Sequence, residues 1–125
     1  MKLHIPAVAP NALSITAYDA SWIEIDGRRL TQSLIVTPQR LIEHWSPQSF
    51  AALDEAAIET VAALDCPVVL LGTGSRQRFP SAAVLRPLWQ RGVGVEVMDS
   101  FAACRTYTIL MAEGRQVAAA LIVGD

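Results

Sequence analysis

An alternation of helical and strand patterns over the last two thirds of the chain limits its fold more than any other feature. A helix is predicted to begin at Ser46-Pro47, and apolar residues recur at helical spacing as far as Leu64. The valine and leucine run at 68–71 is typical of a strand buried on both faces. A helix is then predicted from about 80 or 81 to 90 and a strand over 93–98, followed by a helix from 100 to about 112 and a last strand over 116–123. Such alternation favours an α/β fold with a central, mostly parallel sheet and helices packed on it.

The organisation of the chain indicates one α/β domain over residues 1–125. The sequence has no internal repeat, no low-complexity segment and no linker, and 125 residues fit a single domain. Residues 1–13 carry prolines among small apolar residues and are expected to form an extended arm. The turn at 113–115 is too short to fix the direction of the last strand, so an antiparallel last strand stays open.

The first third of the chain has a strand-rich pattern. Short strands are predicted over 14–18 and 22–25, and Asp26-Gly27 after them is a strong signal for a two-residue hairpin. A strand over 29–36 is therefore expected to return antiparallel to the strand at 22–25. Residues 39–45 fit either a short helical turn or one more edge strand. We expect an N-terminal β-hairpin region that precedes the helices.

Composition and charge exclude several classes of protein. With 52% hydrophobic residues, the chain is too apolar to be disordered. Ten Lys and Arg against twelve Asp and Glu give a net charge of −2, which does not provide the basic face that nucleic acids require. The longest apolar stretch, 117–123, is far shorter than the ~20 residues of a membrane span. We expect a cytoplasmic protein without membrane insertion or bound nucleic acid.

The two cysteines, Cys66 and Cys104, do not indicate a metal site. They form no Cys-x-x-Cys pair, and the only histidines are His4 and His44. In a reducing cytosol both cysteines are expected to be free thiols. We therefore predict no metal and no cofactor.

The turn Gly72-Thr73-Gly74 is the most suggestive candidate for a binding site. It follows the buried strand and precedes a helix, where open α/β sheets bind ligands and where free N–H groups can hold an anion. Arg76 and Arg78 would add positive charge there. The pattern lacks the third glycine of dinucleotide-binding turns and the Gly-Lys-Ser/Thr of a P-loop. A tight strand-to-helix turn also explains both glycines without any ligand.

The start of the third predicted helix is a second candidate. Asp99 ends a strand, Ser100 can cap the helix, and Cys104 lies where the helix dipole and Arg105 could lower the pKa of its thiol. A thiol nucleophile also needs a base, and both histidines are far away in sequence, so no catalytic residue is predicted. A buried packing cysteine and a carboxylate that binds the amides of its own turn explain the same residues.

Arg115 is a third candidate, beside Gly114. It could pair with Asp99 in a polar cluster. A glycine that ends the helix, with an ion pair beside it, explains the same residues without a function.

Four blocks of the sequence, in their order and spacing, resemble a known family. The family comprises small single-domain proteins grouped with mitochondrial NADH dehydrogenase (complex I) assembly factor three and its bacterial and archaeal relatives. The likeness runs from about Ser33 to Val123 and is strongest over the last fifty or so residues. The blocks are Leu71-Gly72-Thr73-Gly74, Gly92-Val93 with Val95-Glu96-Val97-Met98-Asp99, Ala103-Cys104-Arg105-Thr106-Tyr107, and Glu113-Gly114-Arg115 with Ala119-Ala120-Leu121-Ile122.

The resemblance implies a three-layer α/β domain with one antiparallel strand in its sheet. It also implies a non-catalytic role, since the mitochondrial member helps to assemble a respiratory complex by binding partners. Relatives usually have Asn where this chain has Thr108. If that Asn served a ligand, the ligand is in doubt here, whereas Thr can replace it in part if it only bonded locally.

Two functions stay open beside a purely structural role for every motif. The first is an interaction or assembly protein that exposes Phe79 or Phe101 among arginines. The second is a binder of a small anion, or an unrecognised enzyme, with a concave pocket over the amides of residues 73–76. The candidate residues for binding a ligand or partner are Gly72, Thr73, Gly74, Arg76, Arg78, Asp99, Cys104, Arg105 and Arg115.

Overall fold

The computed structural model describes residues 11–125, so the predicted arm at 1–13 lies outside the described residues except for its last three, and His4 lies outside them as well. The elements in chain order are β1 Ile15–Asp19, β2 Trp22–Ile25, β3 Arg28–Leu30, β4 Leu34–Val36, β5 Leu41–Ile42, a 3-10 helix Phe50–Ala52, α1 Glu55–Ala62, β6 Val68–Gly72, α2 Ala82–Gln90, β7 Gly94–Met98, α3 Ser100–Ala112 and β8 Val117–Leu121.

A five-stranded mixed sheet with the order β5-β4-β8-β6-β7 forms the centre of the fold. β6 pairs in parallel with both β7 and β8, whereas β4 is antiparallel to β8 and to β5. Two of the four pairings are therefore antiparallel, and the prediction of a mostly parallel sheet is not confirmed. The open question about the last strand is answered, since β8 runs parallel to β6.

Helices flank both faces of this sheet, as predicted. α1 and α2 cover one face, while α3 and the antiparallel sheet β1-β2-β3 cover the other. Alternate residues of the central strand β8 point to the two sides: Ala118 and Ala120 face α1 and α2, and Ala119 and Leu121 face α3. All five residues of β8 are buried, and its alanines leave room for helices on both sides.

The predicted strand over 29–36 is instead two strands in different sheets. β3 continues the hairpin at Asp26-Gly27, where both residues have positive φ, and β4 joins the central sheet. Buried Ser33 marks the break, because its carbonyl accepts from the Trp45 N–H at 3.0 Å and its Oγ accepts from the Val123 N–H at 3.2 Å. These partners lie far along the chain, so the local pattern could not reveal the break.

The helix predicted from Ser46 begins later. Ser49 caps the 3-10 helix, and Asp54 caps α1 by accepting from the Ala57 N–H at 2.8 Å. The segment before them is held in place by Trp45, whose Nε1–H donates to the Ala57 carbonyl at 3.0 Å. Of the two alternatives for 39–45, the edge strand is the correct one, because β5 pairs with β4.

Candidate functional site

The turn that follows β6 uses its amides within the protein. The Thr73 N–H donates to the Met98 carbonyl at 2.9 Å, and the Gly74 N–H donates to Ser100 Oγ at 2.9 Å. The Ser75 N–H donates to the backbone carbonyl of Asp125 at 2.6 Å. Three of the amides that a bound anion would need are therefore already occupied.

Thr73 stabilises the turn through hydrogen bonds to residues later in the same turn. Its buried Oγ1 donates to the Arg76 carbonyl at 2.7 Å and accepts from the Arg78 N–H at 3.0 Å. The Thr73 carbonyl accepts from Arg78 Nη2 at 2.7 Å. The turn is thus fixed by its own side chains, as threonine-containing turns commonly are.

Ser100 connects the turn to the start of α3 and the end of β8. Besides accepting from Gly74, its Oγ donates to the Ile122 carbonyl at 2.7 Å, and its N–H donates to the Gly74 carbonyl at 2.8 Å. A Cβ on Gly72 would lie 2.9 Å from Ser100 Oγ, which explains glycine at that position. The residue that caps α3 is Asp99 rather than Ser100, since Asp99 Oδ1 accepts from the Ala102 N–H at 2.9 Å.

Arg78 is neutralised by a carboxylate of the same chain. Its Nη2 lies 2.7 Å from Asp125 Oδ2, and that oxygen also accepts from the Phe50 N–H at 2.8 Å. The Phe50 hydrogen bond and the nearby Arg78 guanidinium lower the pKa of the Asp125 carboxyl. The guanidinium carbon of Arg78 lies 5.1 Å above the Phe50 ring. The chain itself therefore supplies the anion that this arginine would bind.

The exposed part of this end of the domain combines aromatic rings with arginines. Phe79 is 71% exposed, and Arg76 is exposed beside it in the turn. The Phe101 ring stacks on Tyr18 at 5.3 Å between centroids, and Arg105 Nη1 donates to the Tyr18 hydroxyl at 3.3 Å. Arg76 and Phe79 belong to the segment after β6, and Phe101 and Arg105 belong to α3, whose first residue bonds to that turn. We call these four residues the arginine–phenylalanine face.

The cleft beneath this face is small. It lies between Asp19 at the β1–β2 turn, Ser75, Phe101 and Gly124, and its volume is about 20 Å³. That volume holds about one water molecule. Among the described residues, this cleft is therefore too small to be the concave pocket expected for a small-molecule ligand.

Two of the predicted site residues do not join the others. Cys104 is 1% exposed inside the core, and burial raises the pKa of its thiol to about 12, so the lowered pKa considered from the sequence is wrong. Arg115 precedes β8, whose first residue pairs with Val68 at the opposite end of β6 from Gly72. The other seven candidates lie at the end of the sheet where β6 and β7 finish.

Sequence reasoning missed the contributions of Tyr18, Phe50 and Asp125. Asp125 is separated from Arg78 by 47 positions, and no local pattern signals the pair. Thr108 donates through Oγ1 to the Cys104 carbonyl at 3.0 Å, a local bond within α3. Over residues 11–125, no group of three or more His, Cys, Asp or Glu side chains is placed to bind a metal, and no helix is long and apolar enough to cross a membrane.

Comparison with known proteins decides the family. Residues 15–122 match the family model described as "Protein of unknown function (DUF498/DUF598)". The chain belongs to the DUF498/DUF598 family. A curated relative of this chain is the protein from Bos taurus named NADH dehydrogenase [ubiquinone] 1 alpha subcomplex assembly factor 3, which is 33% identical over 116 residues. This match confirms the family that the four sequence blocks indicated.

The matches cover the DUF498/DUF598 chain more fully than they cover its curated relatives. The Bos taurus alignment includes 91% of this chain but 62% of the relative, so the chain spans about three fifths of that protein's length.

Solved structures share the fold of this chain. A crystal structure from Bordetella parapertussis is 39% identical, with a TM-score of 0.86 over 92% of this chain and 98% of that one. An NMR structure from Xanthomonas campestris is 41% identical, with a TM-score of 0.80 over 99% and 92%.

Proposed function

We propose that this DUF498/DUF598 chain is a non-catalytic protein-binding domain of the assembly-factor type, acting in the cytoplasm, and that its partner contacts the arginine–phenylalanine face. The observation that carries the proposal is the contrast at the turn after β6. Its amides and Arg78 are bound within the chain, whereas Phe79 is 71% exposed beside the exposed Arg76. Phenylalanine and arginine are among the residues enriched at the centres of protein interfaces relative to the rest of the surface.

Chemistry at the same end of the domain supports binding over catalysis. The Cys104 thiol is buried and protonated at neutral pH, and the cleft of about 20 Å³ has no room for a substrate. The assembly role is proposed from the Bos taurus relative, whose name describes an assembly factor of NADH dehydrogenase. A respiratory complex is accordingly the first class of partner to examine.

The alternative function, binding of a small anion, has less support. It requires free amides over 73–76 and converging arginines, but three of those amides donate within the chain and Arg115 lies at the other end of the sheet. The exposed phenylalanine favours a protein partner, and binding of a small anion does not explain it.

Capture of cross-linked complexes by the tagged full chain, from extracts of its own cells, tests the proposal. The Arg76→Glu/Phe79→Ser variant should lose most of the partner that the wild-type chain recovers. The matched control is Arg86→Glu/Trp89→Ser on α2, which changes an exposed arginine and an aromatic ring that is 52% exposed. Arg78 is left unchanged because its salt bridge is structural. Equal recovery with both double variants would contradict the proposal.

A further inference from the structure

β7 is an edge strand of the central sheet, and among residues 11–125 only one of its sides is paired with another strand. Its even-numbered residues bond to β6: the Gly94 N–H donates to the Pro67 carbonyl at 3.2 Å, and the Met98 carbonyl accepts from the Thr73 N–H at 2.9 Å. Because successive residues of a strand direct their backbone groups to opposite sides, the odd-numbered residues point theirs away from the sheet. An edge of this kind is a template for another strand.

Only part of that outward edge is used within the chain. The Val93 N–H donates to the Leu88 carbonyl at 3.1 Å, and the Val97 carbonyl accepts from Gln77 Nε2 at 2.9 Å. Among the described residues, no partner bonds the N–H and carbonyl of Val95, the N–H of Val97 or the carbonyl of Val93. Two donors and two acceptors are therefore left at the edge.

The positions of these groups select one way for two copies to pair. In an antiparallel pair centred on Val95, Val95 of each copy bonds Val95 of the other through both N–H and carbonyl. The free Val97 N–H then faces the free Val93 carbonyl of the second copy. A pair centred on Val97, or between Val95 and Val97, would need the Val97 carbonyl that Gln77 already occupies.

The surface beside the edge carries complementary charges. A groove of about 340 Å³ lies between β7 and α3, with apolar walls that include Val68, Met98 and Leu110, and with Glu96 and Arg115 among its polar residues. Within residues 11–125, neither Glu96 nor Arg115 forms an ion pair. Each copy therefore offers one free acid and one free base on the same groove.

The Val95-centred pairing brings these charges together across the two copies. It places Glu96 opposite Gly94 of the second copy, at the separation of a few ångströms typical of cross-strand neighbours. Gly94 lines the same groove as Arg115, so each Glu96 approaches the other copy's Arg115. A pairing centred on Glu96 would instead set two glutamates directly opposite, which is destabilising.

We infer that β7 is a self-association edge: two copies of this chain pair antiparallel about Val95, joining their central sheets, with Glu96 of each copy facing Arg115 of the other. This surface shares no residue with the arginine–phenylalanine face, and the inference does not depend on the proposed function. The partner at this edge is a second copy of the chain. In one register, the free hydrogen-bonding groups and the charges of one copy match those of the other copy.

Sedimentation velocity of the full chain over a hundredfold range of concentration tests the inference. A concentration-dependent dimer is expected, and Glu96→Arg and Arg115→Glu should each raise its dissociation constant about tenfold or more by opposing like charges. The Glu96→Arg/Arg115→Glu double variant should restore the dimer. The matched controls Glu59→Arg and Arg40→Glu change exposed charges on α1 and near β5 and should have no effect.

Val95→Pro provides a second, independent measurement. It removes an N–H that points away from β6, so the fold is expected to persist by circular dichroism while the dimer is lost. A wild-type chain that stays monomeric at every concentration would overturn the inference. The edge would then be assigned to pairing with a strand of another protein. A dimer insensitive to Val95→Pro, or a charge-swapped double variant as weak as the single variants, would overturn it as well.

Discussion

Asp125 Oδ2 lies 2.7 Å from Arg78 Nη2, so a carboxylate near one end of the chain neutralises the arginine in the turn that follows β6. The same oxygen accepts from the Phe50 N–H, which ties the segment before α1 to that turn. This arrangement explains why the glycine-rich turn does not form an open anion site. It also leaves Arg76 and Phe79 among the exposed residues of the turn.

The Asp125 carboxylate should make stability depend on pH. Because its pKa is lowered in the folded protein, its contribution is present above its unfolded pKa of about 4 and is lost as the pH falls through the folded value. Asp125→Asn should lower the free energy of unfolding at pH 7 by roughly 1 kcal/mol or less, because the pair is partly exposed. Urea unfolding at pH 7 and pH 3 measures the difference, which should become smaller at the lower pH.

Removing Asp125 should create the anion site that the wild-type chain lacks. In Asp125→Ala, the Arg78 guanidinium and the Phe50 N–H lose their acceptor, so inorganic phosphate should raise the melting temperature of this variant and not that of the wild type. The Asp125→Ala/Arg78→Met variant is the control and should not respond. Equal stabilisation of wild type and variant by phosphate would show that the turn binds anions without displacing Asp125.

Ser100→Ala should destabilise the domain strongly, although it removes only one hydroxyl group. The Oγ connects the Gly74 N–H to the Ile122 carbonyl in a buried position, and its removal leaves both groups unsatisfied. The expected loss is about 2 kcal/mol or more by urea unfolding. Ser81→Ala is the matched control, because Ser81 precedes α2 without a side-chain hydrogen bond to it, and a loss below about 0.5 kcal/mol is expected. Similar losses for the two variants would contradict the structural role of Ser100.

Cys104 should be unreactive in the folded protein. With its pKa raised to about 12 by burial, only about one thiol in ten thousand is ionised at pH 8, and the sulfur is shielded from solvent. A Cys66→Ser variant leaves Cys104 as the reporting thiol, and its reaction with a disulfide reagent should follow unfolding in urea. Rapid reaction without urea would contradict the packing role and reopen thiol chemistry.

Local patterns in the sequence predicted most of the α/β elements, whereas long-range contacts decided the rest. β6, α2, β7, α3 and β8 lie within two or three residues of their predicted bounds, because apolar spacing and caps are local properties. The sequence could not assign residues 29–36 to two sheets, since the break at Ser33 depends on Trp45 and Val123.

For the candidate site as well, the sequence predicted the local features but not the long-range contacts. The turn at 72–78 and the start of α3 were identified from glycines and capping residues and do meet in the structure. The position of Arg115 and the pairing of Arg78 with Asp125 required the order of the strands, which composition and spacing do not contain.

Photo-cross-linking from position 79 tests the central claim most directly. A photoreactive phenylalanine analogue at Phe79 samples the arginine–phenylalanine face, and the same analogue at Trp89 samples an exposed aromatic position on α2. We predict one discrete protein adduct from position 79, weak or absent from position 89, and lost when Arg105→Glu is added. No adduct from position 79, or the same adducts from both positions, would contradict the account of this face as the partner-binding surface.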